Sequence, residues 1–209
     1  MSNVSIQEGI DFLKNEYYIP LDQLESAHHY IYNSGSKRNI GPQKYPKSFI
    51  PPVGWTAIAL KVSNKFGNNS WMGNSNIDGE WYVGYHGVKS KDSINNIFYR
   101  GFRKGQGQDY KSYSNVNPLT NIKYPQCGEG VYFAQNIDDA KSYCSYIKSN
   151  NGSQYRVVFM CRINPYSVRI SNLGIDRDYM IVNGDNLDDV NGYMRTNEVR
   201  PYKILILKE

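Results

Sequence analysis

The chain is poor in the residues that anchor metals and disulfides. It has three cysteines, Cys127, Cys144 and Cys161, in 209 residues. No two of them form a CxxC pair and none joins a histidine at metal-ligand spacing, so no zinc motif or disulfide framework is indicated and reduced thiols are expected. The chain also lacks any apolar run near the roughly eighteen residues of a membrane-spanning helix. Its opening stretch, "MSNVSIQEGIDFLKNEYYIP", has acidic residues where a secretory leader has a basic head and an apolar centre. A soluble, untargeted chain is therefore expected, either cytoplasmic or delivered to a host cytosol as an effector. Basic residues number 24 against 19 acidic, for a net charge of +5, but they are scattered. With no Lys/Arg run, composition argues against a nucleic-acid partner.

Histidine is scarce too: only His28, His29 and His86 occur. What is abundant is tyrosine, at nineteen residues, whose broad apolar ring with one polar tip suits both core packing and ligand stacking. A hydrophobic share of 40% over this length supports one domain with a proper core.

Helical spacing of Ile6, Ile10, Leu13 and Tyr17, then of Leu24, Ala27, His28 and Ile31, predicts two short helices broken at Pro20, with His28 packed and His29 solvated. Residues 33–54, rich in Gly, Pro, Ser and Lys, have loop composition that crosses a surface without forming a core. They divide a helical lead, 1–54, which packs on the remainder, from a main unit, 55–209. In that unit "WTAIALKV" and "EWYVGYHGV" have strand composition. "DSINNIFYRGF" has helical period, with Asp92 or Ser93 as its cap and Gly101 at its exit. A long polar stretch, 104–128, follows. Then comes a glycine turn, a short strand, and a helix capped by Asn136 with Ala140, Tyr143, Cys144 and Ile147 on one face and Gly152 closing it. The apolar run "YRVVFMCRI" reads as a central strand, and "DYMIV" and "YKILIL" as two more. This order is not a repeated βαβ pattern and places the chain in the α+β class.

Taken singly, His86 at a strand end, Tyr132 inside a strand and Asp178 opening a late strand each read as structural. Their order and spacing are another matter. "YHG" at 85–87, "INNIFYRGFR" at 94–103, "GEGVYFAQNIDDAKSY" at 128–143 and "DYMIV" at 178–182 together cover roughly residues 81–207. This set resembles the ADP-ribosyltransferase superfamily, in the branch of poly(ADP-ribose) polymerases and diphtheria toxin with its histidine, tyrosine and glutamate signature. The element from Gly130 through Tyr143, with its tyrosines eleven residues apart, is the most specific part.

The resemblance implies a fold of two mostly antiparallel sheets with flanking helices, and NAD+ as co-substrate. It implies that His86 bonds a ribose hydroxyl, that Gly87 offers backbone groups to the nicotinamide amide, and that Tyr132 and Tyr143 hold the nicotinamide ring with Phe133 beside them. Arg103 matches a residue near the adenosine end, where a guanidinium can meet phosphate. Catalysis falls to His86, Tyr132 and Asp178, with the carboxylate stabilising positive charge on the sugar carbon. Two departures stand out: Asp178 replaces the family's Glu, which argues for single transfer and against chain elongation, and Ala140 replaces a serine found in many members. Glu129 and Glu198 are reserve carboxylates. No metal is implied. The Tyr- and Asn-rich loops also resemble a small bacterial and fungal group similar to effectors that modify ubiquitin on threonine, which makes a protein acceptor, with ubiquitin first, the expected partner. The competing readings are an NAD-binding or protein-interaction module with weak or lost catalysis, and a transferase acting on nucleic acid.

Overall fold

Ser5 accepts the Glu8 amide at 3.1 Å and so caps α1 (Ile6–Tyr17), whose Phe12, Leu13 and Tyr17 are buried as the helical spacing predicts. Tyr18 ends the helix in the left-handed conformation, φ 56°, with its amide on the last-turn carbonyls. The computed structural model describes residues 4–103, 114–124, 130–171, 179–182, 187–188, 193–194 and 197–209.

The expected second helix is absent. Two 3₁₀ turns, Leu21–Gln23 and Ser26–His28, lead instead into β1 (Tyr30–Ile31). The reason is tertiary: the Glu25 amide bonds the Ala59 carbonyl at 2.9 Å and Leu24 bridges Leu60, so the sheet edge takes the hydrogen bonds that a helix would have kept. The histidine assignments are reversed with it. His28 is exposed, whereas His29 Nδ1 accepts the Ala59 amide at 3.0 Å.

Residues 33–54 also do more than cross a surface. They form a hairpin, β2 (Arg38–Ile40) and β3 (Lys47–Phe49), and bury Ile40 and Phe49 in the second of two cores. After β4 (Thr56–Ala59) come a 3₁₀ turn at Ser70–Met72, β5 (Tyr82–Gly87) and α2 (Lys91–Arg100). Then follow β6 (Asn115–Val116), β7 (Lys123–Tyr124), β8 (Val131–Ala134) and α3 (Ile137–Ser142). The last helix is shorter than its sequence pattern predicts. Ile147 leaves it to pair with Tyr155 in β9 (Ile147–Lys148), and Gly152, φ 86°, turns the chain into β10 (Gln154–Ile163). The chain closes with β11 (Val168–Ser171), β12 (Tyr179–Val182), β13 (Leu187–Asp188), β14 (Tyr193–Met194) and β15 (Val199–Lys208).

The fold is α+β, with every strand pairing antiparallel. The resemblance implies two sheets; the main strands form one path, β1-β4-β15-β10-β5-β8-β12-β11-β6-β7, with β9 beside β10, and β2-β3 and β13-β14 are separate two-stranded sheets. That path narrows sharply in the middle. β5 pairs with β10 from Tyr82 to Gly87, but with β8 only through Tyr85 and Ala134. One core, around Phe159 and Ile204, lies under α1 and α2; the other, around Met160 and Val83, lies on the opposite face with the hairpin and α3. Among the described residues no helix is long and apolar enough to cross a membrane.

A buried carboxylate ties the hairpin to the sheet. Glu80, 0% exposed, accepts the amides of Gly41 at 3.1 Å, Ser75 at 3.0 Å and Asn76 at 2.9 Å. Removing it strands these donors away from water. Glu80→Ala is expected to lower unfolding stability by at least about 2 kcal/mol in urea titrations, with faster amide exchange at Gly41; a loss within experimental error would contradict the tie.

Candidate functional site

The site grows out of the narrow junction. β8 pairs on its far side with β12 throughout, Tyr132 with Ile181 and Ala134 with Tyr179, while its near side leaves β5 after Tyr85. Into the opening steps His86, the next residue of β5. Its Nδ1 lies 3.0 Å from the Tyr132 carbonyl oxygen. A carbonyl can only accept, so Nδ1 carries the hydrogen and Nε2 of the neutral ring is an acceptor. The ring is steadied by Phe102, edge-on with centroids 4.9 Å apart, and by Phe133 at 5.6 Å.

Although His86 keeps partial exposure at the opening, its imidazole is deeply enclosed. Burial holds its pKa below the usual imidazole value, the Lys89 charge pushes the same way, and the hydrogen bond to the Tyr132 carbonyl opposes both. The group is thus held neutral, with its acceptor nitrogen available.

A cleft of about 380 Å³ opens here, and it gathers His86, Gly87, Arg103, Tyr132 and Tyr143 among its walls. These positions come from three of the four sequence motifs. Tyr132 and Tyr143 are half-buried, Tyr143 standing at the end of α3, and Arg103 is exposed at the rim. Phe133 is placed differently: fully buried, it packs on Phe102 at 5.1 Å and backs the His86 ring instead of forming the cleft wall. Gly87 has a packing reason that the sequence did not disclose. A Cβ there would fall 2.3 Å from the Ala140 carbonyl oxygen and 3.0 Å from Cys144 Sγ, so only glycine lets α3 lie against β5.

The sequence reading missed part of the wall. Ser90 caps α2, accepting the Ser93 amide at 3.2 Å, where Asp92 or Ser93 was the expected cap. With Ile94 and Ile97 turned to the core, Ser93 and Asn96 face the cleft together with Lys89. Their signal was present in the helical period, since polar residues three apart beside an apolar pair share one flank.

Asp178 and Glu129 lie outside the described residues. Glu198 is buried just before β15, near the Ile163–Val199 end of β10, whereas His86 sits opposite Phe159; it does not line the cleft. Cys161 is buried, Cys144 is half-buried, and among the described residues no group of three or more His, Cys, Asp or Glu could hold a metal ion. No family model, curated protein or solved structure matches this chain.

The enclosed histidine gives a pH signature. Because its folded pKa is depressed, both states are neutral above about 6.5, and the unfolded chain takes up the proton first as pH falls. NMR titration of the His86 ring is expected to give a midpoint below about 6.5, with stability declining from that pH toward the folded midpoint. A midpoint above that value would contradict the enclosure.

Proposed function

We propose that the junction cleft binds NAD+ and that the protein is a mono-ADP-ribosyltransferase, moving ADP-ribose to a protein side chain and releasing nicotinamide. The observation that carries this reading is the convergence of His86, Gly87, Arg103, Tyr132 and Tyr143, up to 57 residues apart in sequence (143 minus 86), on one cleft. In this reading the Nε2 of neutral His86 accepts a ribose hydroxyl, and Tyr132 and Tyr143 hold the nicotinamide ring. Arg103 meets the pyrophosphate at the rim. The bond between the ribose carbon and the nicotinamide nitrogen breaks with its electron pair leaving on nicotinamide. Asp178 stabilises the positive charge left on the sugar and takes the proton of an attacking hydroxyl. A threonine of ubiquitin is the first acceptor to test.

One observation favours a second reading. Ala140 brings a methyl group to the cleft where the resemblance places a serine hydroxyl, which removes one hydrogen bond to the nicotinamide amide and suits a module that binds NAD+ with little turnover.

Incubation with labelled NAD+, a eukaryotic lysate and purified ubiquitin separates the two. The wild type is expected to release nicotinamide and label protein, and His86→Ala and Asp178→Ala each to lose about a hundredfold or more. Binding without release would replace the transferase by the module, and neither binding nor release would overturn both.

A further inference from the structure

A second cavity, of about 450 Å³, lies on the other side of the junction and shares no wall residue with the first. It is built between the N-terminal segment and the sheet: Tyr32 and Arg38 come from the lead and hairpin, Arg162 from β10, and Tyr202 and Lys203 from β15. Among the described residues its wall contains three cationic side chains, Arg38, Arg162 and Lys203, and no Asp or Glu.

Among the described residues none of these cations meets a carboxylate. Arg162, 4% exposed, donates to the carbonyls of Trp81 at 2.7 Å, Met72 at 2.8 Å and Gly73 at 2.7 Å, while its buried Nε has no hydrogen-bond partner among the described residues. Lys203 Nζ donates to the Tyr32 hydroxyl at 3.5 Å and lies 5.6 Å from the centre of the Tyr32 ring, and that hydroxyl is directed to the Met160 sulfur at 3.9 Å, a weak acceptor that an oxyanion would displace. Arg38 lies over the Phe49 ring at 4.6 Å. Burial first, and then the like charges of Arg162 and Arg38, hold the Lys203 ammonium below its usual range, so the three positive groups act on one another. Arg162 is buried and Lys203 half-buried, and positive charge held partly out of water with no carboxylate beside it among the described residues favours an anion.

The size and walls narrow the choice. The volume falls in the range of organic ligands and exceeds what a bare ion fills. Tyr32 and Tyr202 add aromatic surface to the wall, and one carboxylate would leave most of the positive charge uncompensated, whereas a phosphate ester is largely dianionic at neutral pH. We propose that this cavity is a binding site for a small organic phosphate, its phosphoryl group between Arg38 and Lys203 and its organic part against Tyr32 and Tyr202. Arg162, fixed by three carbonyls, supplies positive charge from behind. Nothing in this assignment depends on NAD+ in the first cleft.

The test is an NMR titration of the full chain at constant ionic strength with phenyl phosphate, inorganic phosphate and benzoate. Phenyl phosphate is expected to give saturable amide shifts at Tyr32, Tyr202 and Lys203, to bind more tightly than either other probe, and to weaken at least about tenfold in Arg38→Gln and in Lys203→Met. Arg38 is exposed, so its variant remains informative if the β15 variant is unstable. Shifts confined to Gly87 and Tyr132, equal binding of benzoate, no saturation at millimolar concentration, or affinity unchanged in Arg38→Gln would each overturn the proposal.

Discussion

A sheet held together through one register pair, Tyr85 with Ala134, has to find its continuity elsewhere, and here it finds it in side chains. On one side of the pair, Gly84 lets Ile163, Phe133 and Met180 close over the strand; a Cβ would come within 2.5, 2.9 and 3.2 Å of them. On the other side, His86 spans the opening by bonding the Tyr132 carbonyl, and Gly87 admits α3. The short run Gly84–Gly87 thus sets how closely Ile163, Phe133 and Met180 pack on β5 and how closely α3 lies against it. Phe102, Phe133 and Phe159 fill the space beneath, with His86 as the polar end of an aromatic cluster.

The same constraint organises charge. β10 carries Phe159 opposite His86 and, from the next residue on, Met160 and Arg162 on the wall of the second cavity. The central strand therefore backs two openings of different character. One holds a histidine whose burial favours the neutral ring, and the other gathers Arg38, Arg162 and Lys203 beside Tyr32 and Tyr202. Residues of the N-terminal lead are part of the second opening, which gives that segment a role beyond covering the sheet.

Much of this was legible in the sequence where local pattern and tertiary demand agree. α1 follows its apolar spacing, β10 its apolar run of strand length, and α2 its period, because each buries the face that its pattern marks. The failures share a cause. Residues 21–31 have helical spacing, yet the open edge of β4 captures their backbone; Ile147 belongs to a helical face on paper, yet β10 offers it a strand partner. Ile40 and Phe49 sit in loop composition and still reach the core, because Glu80 fastens their hairpin through backbone amides that leave no trace in side-chain pattern. At the candidate site, residues given a role by motif were brought together, while Ser93, outside the motifs, and Asn96, inside one but with no role assigned, appear only once the helix is docked. Asp178 remains a reading of the sequence.

The central claim is that the junction cleft, centred on neutral His86, receives NAD+. A crystal structure with a non-hydrolysable NAD+ analogue tests it most directly. The account expects a ribose hydroxyl within about 2.6–3.2 Å of His86 Nε2 and the nicotinamide ring between Tyr132 and Tyr143. An analogue bound away from the cleft, or excluded from the protein at saturating concentration, would contradict it.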